Sequence, residues 1–209
     1  MEQINVETTL YLMRHGEVHN PKHILYGRMP NYFLSKTGEQ QAHSAGKWLA
    51  NKNISAIYCS PMERTQQTAD IVAEYQDKLT PRVDERIIEV HTPHDGRPTV
   101  ELEAIGWDLY TGNEPPYEVP ITILERVHDF FDYVIQAHKG ESVVAVAHGD
   151  ILVFPWLHAQ GVVPETQMKD SLLAYNLPVE YPATASVMTF TFTDLPRKVK
   201  PKVTYTRPY

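Results

Sequence analysis

The stretch Leu10-Tyr11-Leu12-Met13-Arg14-His15-Gly16-Glu17 places an arginine and a histidine directly after a short apolar run. Four successive apolar residues are typical of a buried strand, and Gly16 permits a sharp change of direction after it. Open α/β sheets bind ligands at the carboxyl ends of their strands. The sequence therefore predicts a ligand site here, with His15 as a nucleophile and Arg14 as a partner for a phosphate oxygen.

A second apolar stretch, residues 54–58, precedes the start of a predicted helix. Ser60, Pro61 and Glu63 predict a capping box, because proline favours the first helical position and a glutamate closes the box three residues after the serine. Arg64 then falls in the first turn of this helix, from which its side chain can reach the neighbouring strand ends.

A third strand-like run, residues 143–147, ends in His148-Gly149, and Glu89 follows two isoleucines. Parallel strands separated by helices bring their carboxyl ends to one edge of a sheet. Each segment alone could be an ordinary strand end. Together they predict one site at which two histidines, two arginines and a glutamate converge.

Taken in order, these residues resemble the histidine phosphatase superfamily, which includes the cofactor-dependent phosphoglycerate mutases and many phosphatases. The similarity covers residues 9–150, and beyond them the likeness is only a strand pattern. Its motifs are Arg14-His15-Gly16-Glu17 with Asn20, Tyr26-Gly27, Leu34-Ser35-Lys36-Thr37-Gly38-Glu39-Gln40-Gln41-Ala42, Ser60-Pro61-Met62-Glu63-Arg64 with Thr68-Ala69, Glu89, and His148-Gly149.

Length and composition agree with a small enzyme. A chain of 209 residues predicts a single domain over 1–209, which we expect to be a monomer or homodimer. The net charge of −7 argues against a nucleic-acid partner. The single cysteine excludes a disulfide within the chain. Neither a signal peptide at the amino terminus nor an apolar run of the ~20 residues needed to cross a membrane is evident, so we expect a cytoplasmic protein without membrane contact.

The order of predicted elements indicates the fold class. Strands at about 9–13, 54–59 and 142–147 alternate with helices at about 37–51, 61–78 and 120–138, and a further helix begins near Asp150, where Pro155 should kink it or end it early. Residues 186–193 predict an antiparallel strand near an edge, and residues 199–207 predict an edge strand or loose arm. We therefore expect an α/β three-layer sandwich, with a mostly parallel central sheet and helices on both faces. Thr37 and Gln40 predict the amino-terminal capping box of the first helix.

Residues 91–119 interrupt this alternation. They contain prolines and aromatic residues around a possible short helix at 99–107. An insertion after Glu89 would lie over the pocket as a small lid and influence selectivity. A surface insertion packed by its own aromatic residues is an equal alternative at this stage.

The side chains suggest a phosphoryl-transfer mechanism. A neutral His15 would attack phosphorus, giving a phosphohistidine that water then removes, so that two steps replace one difficult displacement. Arg14 and Arg64 offer planar guanidinium groups suited to phosphate oxygens. His148 would donate as an imidazolium, its pKa raised by the phosphate charge. Glu89 would act as the general acid, with a raised pKa, and then as the base for water.

The remaining predicted phosphate ligands are Asn20 and the backbone amides near Gly27 and Gly149. With so many donors no metal ion or other cofactor is required. His19, His23, His91 and His94 could suggest a metal site, but Pro21 makes a shared helix face for the first two improbable. Cys59 is expected to be a buried structural cysteine rather than a nucleophile.

These observations predict a metal-independent phosphomonoesterase that acts on a small phosphorylated molecule. Mutase-type phosphoryl transfer is an alternative, but the mutases usually carry a tryptophan in the interval that Val18-His19 fills here. Arg97 is the only obvious cation of the insertion, and Trp107, Tyr110 and Tyr117 suit a substrate with an apolar or aromatic part. A catalytically weak relative that binds phosphorylated ligands is the third possibility.

Overall fold

The computed structural model describes residues 6–77, 79–166 and 168–209, without the side chains of residues 168–171. The strands are β1 (Thr8–Arg14), β2 (Ile54–Cys59), β3 (Arg82–Val83), β4 (Ser142–Ala147), β5 (Val187–Phe192) and β6 (Lys202–Thr206). The helices are α1 (Lys36–Leu49), α2 (Glu63–Ala73), α3 (Thr99–Ala104), α4 (Pro120–Ala137) and α5 (Gly149–Ala159), and short 3-10 helices cover Glu85–Ile87 and Met168–Tyr175.

The strands form one mixed sheet in the order β3-β2-β4-β1-β5-β6. The first four are parallel, β5 is antiparallel to β1, and β6 is antiparallel to β5. The mostly parallel sheet is thus confirmed, and the tail forms the edge strand β6, which is one of its two predicted structures. Within the described ranges, no helix is both long enough and apolar enough to cross a membrane.

The apolar run of β1 is buried on both faces of the sheet. Leu10 and Leu12 pack in the core cluster that contains residues of α4 and α5, whereas Tyr11 and Met13 pack with residues of α1 and α2. Alternate side chains of a strand point to opposite faces. Helices therefore cover both faces, which confirms the three-layer α/β architecture.

The register of β1 and β4 determines the position of the site. Arg14 pairs with Ala147 at the carboxyl ends of the two strands. Because the strands are parallel and in register, the next residues, His15 and His148, come to lie side by side. The backbone N–H of His15 donates to the carbonyl of Ala147 at 3.0 Å, so the hydrogen bonds between the two strands continue as far as His15.

Two predicted helix caps are wrong. In α1 the cap is Ser35, whose hydroxyl accepts from the backbone of Gly38 at 3.0 Å, rather than the box formed by Thr37 and Gln40. In α2 the cap is Met62, without a side-chain bond. The serine and glutamate expected to cap α2 have other partners: the Ser60 hydroxyl lies 2.7 Å from a ring nitrogen of His148, and the Glu63 carboxylate accepts from the backbone of Asn31 at 3.1 Å.

Two predicted helix ends also differ. Helix α2 ends at Ala73, and turns follow it up to residue 77. The predicted end of this helix, Lys78, lies outside the described residues. Pro155 does not end α5 early, because the helix continues to Ala159. Burial of the helix outweighs the low helix propensity of proline, since every residue from Gly149 to Leu157 is buried.

The insertion after Glu89 packs into the protein. Leu102, Leu109 and Tyr110 are buried members of the same core cluster as α4 and α5. At its base the backbone N–H of Glu118 donates to the carbonyl of His91 at 2.9 Å, and the N–H of His91 donates to the Glu118 carboxylate at 2.8 Å. The two ends of the insertion are thus joined directly.

A buried histidine of α4, His128, packs against His158 of α5 and makes stability depend on pH. Burial, with His158 and Arg197 nearby and Asp129 acting against them, lowers the pKa of His128 from 6.5 to about 4. The unfolded chain therefore takes up a proton between these values that the native protein does not, so stability falls as the pH drops from 6.5 towards 4. The expected loss is about 3 kcal/mol.

Measuring the free energy of unfolding across this pH range for the native chain and His128→Phe tests the effect. The variant should show a shallower decrease. His43→Gln, at a side chain that is 41% exposed, is the control and should leave the slope unchanged. Parallel slopes for the native chain and His128→Phe would contradict the assignment.

Candidate active site

His15 occupies the floor of a cavity of about 660 Å³ at the carboxyl edge of the sheet. Its Nδ1 lies 2.7 Å from the carbonyl oxygen of Gly16. Because a carbonyl can only accept, Nδ1 carries the proton in the neutral ring, and Nε2 holds the lone pair. Although only 1% of the residue is exposed, it lines the cavity.

The turn after His15 depends on a close backbone approach. The amide of Gly16 donates to the Thr68 hydroxyl of α2 at 3.1 Å. A Cβ added to Gly16 would lie 2.4 Å from the carbonyl oxygen of Gly38 in α1, so only glycine fits here. Helices α1 and α2 therefore both fix the turn that orients the His15 ring.

The surroundings of His15 keep its ring neutral. Burial lowers the pKa of His15 well below the usual value, and the positive charges of Arg64 and Arg14 lower it further, against the opposing effect of the bond to Gly16. A neutral imidazole with a free lone pair is the nucleophilic form. The geometry thus favours attack through Nε2.

Two guanidinium groups flank this ring, as the sequence predicted. Arg14 donates to the carbonyl of Pro182 at 2.6 Å, and its guanidinium lies 5.1 Å from the ring centroid of Tyr181. Arg64 is completely buried and donates to the carbonyl of Gly27 at 2.8 Å. Within the described part of the chain, the buried atoms Arg14 Nε, Arg64 Nε and Arg64 Nη1 have no hydrogen-bond partner.

Unpartnered guanidinium atoms at zero or near-zero exposure are costly. Two such groups next to a neutral histidine form an arrangement suited to an anion, since planar N–H donors match phosphate oxygens. The residues present therefore fit a phosphoryl group.

His148 lies beside His15, with ring centroids 5.4 Å apart. Its Nε2 is 2.7 Å from the Ser60 hydroxyl, and its Nδ1 is 3.1 Å from Arg64 Nη2 and 3.2 Å from Glu89 Oε2. The ring is fully buried and is not among the residues that line the cavity.

The protein's own groups oppose a positive charge on His148. Burial, followed by the positive neighbours Arg64 and His15, lowers the pKa of His148 well below the usual value. The expected rise of this pKa is an effect of a bound phosphate charge, and it stays a prediction. His148 itself contacts both Arg64 and Glu89.

Glu89 lies next to His148 and lines the cavity. One carboxylate oxygen is 3.3 Å from Arg64 Nη2, and the other accepts from the backbone of Val90 at 2.9 Å. Burial raises the pKa of Glu89, as a general acid requires, although Arg64 and the bond from Val90 oppose the shift. Glu89 does not end a strand, because it follows the 3-10 helix Glu85–Ile87.

The other predicted phosphate ligands differ in their contacts. Asn20 lines the cavity, but its amide donates to the carbonyl of Ile24 at 2.9 Å and fixes its own loop. Gly27 lines the cavity and holds Arg64 through its carbonyl. Gly149 lines the cavity at the first position of α5, where a Cβ would lie 2.0 Å from the Tyr181 hydroxyl.

Three tyrosines make contacts at the site that the sequence did not predict. Tyr26 lines the cavity, and its ring centroid is 4.8 Å from the Arg64 guanidinium carbon. Tyr181 and Tyr110 both donate to the buried carboxylate of Asp150, the former at 2.7 Å. The aromatic content of the insertion indicated a role for Tyr110 in part. No sequence pattern around Tyr181 indicates that this residue lies at the carboxyl end of β1.

Arg28 supports the backbone of Glu89 and was also missed. Its Nε donates to the Glu89 carbonyl at 2.7 Å, and its Nη2 donates to Glu118 at 3.0 Å. Arg126 donates to the same carboxylate at 2.7 Å. This network joins the base of the insertion to the residue that would deliver the proton.

Replacing Arg28 by methionine should therefore misplace Glu89. We expect kcat/KM to fall about tenfold for alkyl phosphates, which need a proton on the leaving oxygen, as is typical when a supporting group is lost, and to change less for 4-nitrophenyl phosphate. Arg97→Met, in the insertion but outside the cavity lining, is the control. Equal losses on both substrates would show that Arg28 only supports the fold.

The structure places the remaining candidates outside the chemistry. Cys59 is buried, and burial raises the pKa of its thiol to about 12, as expected for a structural cysteine. His19, His23, His91 and His94 form no cluster: among the described residues, no three His, Cys, Asp or Glu side chains are grouped so that they could hold a metal ion.

Comparison with known proteins agrees with this geometry. Residues 10–175 match the family model of the histidine phosphatase superfamily, branch 1. The chain is 35% identical over 149 residues to Uncharacterized protein Rv0525 of Mycobacterium tuberculosis, which covers 68% of this chain and 73% of the relative. It is 30% identical over 154 residues to fructose-2,6-bisphosphatase TIGAR of Mus musculus, covering 67% of this chain and 57% of the relative.

A solved structure shows the same fold. The native structure of mycobacterial glucosyl-3-phosphoglycerate phosphatase Rv2419c matches with a TM-score of 0.77 at 20% identity, over 96% of this chain and 99% of that one. The family match covers well over half of the sequence and includes all five predicted catalytic residues. The chain therefore belongs to the histidine phosphatase superfamily, branch 1.

Proposed function

We propose that this protein is a metal-independent phosphomonoesterase that acts on a small phosphorylated molecule through a phosphohistidine on His15. One observation carries the proposal: a neutral, oriented His15 lines a cavity next to Arg14 and the fully buried Arg64, and three buried guanidinium atoms, Arg14 Nε, Arg64 Nε and Arg64 Nη1, have no hydrogen-bond partner in the described part of the chain. The names of relatives such as fructose-2,6-bisphosphatase TIGAR support a phosphatase activity.

In the first step, His15 Nε2 forms a bond to phosphorus while the bond from phosphorus to the ester oxygen breaks. Glu89, whose pKa burial raises, gives its proton to the leaving oxygen, and the alcohol departs. Arg14 and Arg64 hold the charge on the equatorial oxygens, which is the main requirement of phosphoryl transfer.

In the second step, water attacks the phosphohistidine. The ionised Glu89 takes a proton from the water, the bond between nitrogen and phosphorus breaks, and phosphate leaves with His15 restored. His148, bound to Ser60 and next to both Arg64 and Glu89, keeps these two groups in place throughout. The backbone amide of Gly149 and the loop of Asn20 complete the proposed phosphate site.

Mutase-type transfer receives less support. A mutase must rebind a phosphorylated intermediate in more than one orientation, which requires additional cationic groups. Among the described residues that line the cavity, Arg14 is the one arginine or lysine, and it lies at the His15 end.

Hydrolysis of phenyl phosphate in the presence of a chelator tests the proposal. We expect the same rate with and without EDTA, because protein donors alone neutralise the phosphate. Loss of activity on chelation, restored by a divalent cation, would contradict the metal-free mechanism. Absence of hydrolysis together with tight phosphate binding would favour a catalytically weak binding protein.

A further inference from the structure

The cavity is much larger than a phosphate group requires. Its volume of about 660 Å³ lies within the ~300–1,000 Å³ typical of sites for whole small molecules. Away from His15 the wall is mainly apolar. The apolar lining residues are Ile24, Leu25, Val90, Trp107, Leu109 and Leu173.

The charges of the described wall disfavour a second anion. The described lining includes the carboxylates of Glu89 and Glu180 but a single cation, Arg14. Nearby cations are already paired: Arg97 bonds to Glu101 and His94, and Arg28 bonds to Glu118. A carboxylate or second phosphate placed against this wall would lose water without gaining a partner.

Trp107 is held in the wall by an unusual backbone. Gly106 and Trp107 both have positive φ values, 62° and 56°, and the N–H of Trp107 donates to the carbonyl of the fully buried Leu102 at 2.8 Å. A left-handed conformation is unfavourable for a bulky residue, and such conformations concentrate at functional sites. The turn places a large apolar side chain, 36% exposed, at the cavity.

We propose that the substrates are phosphate monoesters of an apolar, uncharged organic group, and that Trp107 is the residue that selects this group. The inference rests on the proposed function and deepens it, because it names the class of ester that the same site hydrolyses. Phosphoryl compounds that carry a carboxylate or second phosphate on the organic part are expected to be poorer substrates.

A matched pair of esters tests the charge selectivity. Hexyl phosphate and 6-phosphonooxyhexanoate have the same chain length and nearly the same leaving group, and they differ in a terminal methyl or carboxylate. We expect kcat/KM for hexyl phosphate to be higher by about tenfold or more, given the cost of an unpaired charge at an apolar wall. Equal values, or a preference for the carboxylate, would overturn the inference.

A substitution tests Trp107 itself. Trp107→Ala should lower kcat/KM for hexyl phosphate by about tenfold or more, the usual effect of removing apolar contacts in a pocket, and should lower kcat/KM for methyl phosphate much less. Val100→Ala is the control, because Val100 is 67% exposed in the same insertion and is not part of the lining. Equal loss on both esters, or loss on neither, would contradict the assigned role.

Failure of the substrate inference and failure of the proposed function give different results. Hydrolysis of methyl phosphate without selectivity would overturn the inference and leave the proposed function intact. If no ester is hydrolysed, the proposed function fails, and the dissociation constants of the two six-carbon esters then decide selectivity by themselves. Tighter binding of hexyl phosphate supports the inference, whereas equal or weaker binding contradicts it.

Discussion

Replacing His15 by alanine is expected to abolish hydrolysis, with kcat lower by about 10⁴-fold or more, because removal of a nucleophile leaves only binding and charge stabilisation. The backbone of His15 keeps its bonds to Ala147 and Ala185 in the variant, so the fold should persist. The ring is almost entirely enclosed, and a modest decrease in Tm from the small space left behind is expected as well.

Initial rates with phenyl phosphate and thermal unfolding of the same samples separate the two effects. His19→Ala is the matched control, since His19 is exposed and lies four residues further along the same loop. It should retain the native rate. A His15→Ala variant that folds and still hydrolyses the ester within about tenfold of the native rate would rule out His15 as nucleophile.

The second large effect concerns Glu89. Glu89→Gln removes the proton donor while keeping the shape of the side chain. We expect kcat/KM to fall by about 10²–10⁴-fold for alkyl phosphates, the usual range for general acid catalysis, and far less for 4-nitrophenyl phosphate, whose phenolate leaves without a proton. The ratio kcat/KM is the right quantity, because it covers only the steps up to the phosphoenzyme.

The pH dependence gives an independent check of Glu89. Burial raises its pKa, so the acid form persists to a higher pH than for an ordinary carboxyl. Activity on alkyl phosphates should therefore decrease as the pH rises through this pKa, and the decrease should be missing in Glu89→Gln. Glu180→Gln, which changes another carboxylate of the cavity lining, should preserve the native profile. Equal loss on all esters, or an unchanged profile, would contradict the acid role.

The central sheet and the placement of the main candidate catalytic groups could be predicted because their signals are local. The apolar runs of β1, β2 and β4 are strands in the structure, and in-register pairing of β1 with β4 brings His15 and His148 together. Arg64 follows from its place in the first turn of α2. These predictions required only element type and the geometry of parallel strands.

The parts that sequence reasoning missed depend on contacts between distant segments. Arg14 contacts Pro182 and Tyr181 across more than 160 residues, and Arg28 reaches Glu118 from another loop. The Ser60 hydroxyl serves His148 rather than a helix cap. Local propensity cannot choose between such alternatives, because the deciding partner is brought near only by the complete fold.

The role of the insertion could also be predicted only in part. Its aromatic content indicated contact with a substrate, but only Trp107 of the three aromatic residues lines the cavity. Tyr110 is buried and bonds to Asp150, while Tyr117 is 37% exposed and packs on His91. The sequence pattern could not distinguish a wall of the pocket from the side that packs into the core.

Trapping the covalent intermediate tests most directly whether the reaction proceeds through a phosphohistidine on His15. Native protein is mixed with ³²P-labelled phenyl phosphate, quenched in alkali, in which phosphohistidine is stable, and digested for mapping by mass spectrometry. The account predicts label on the peptide that contains His15, rapid loss of the label in acid, and no label in His15→Ala. Turnover without any labelled peptide, or label on another residue, would contradict it.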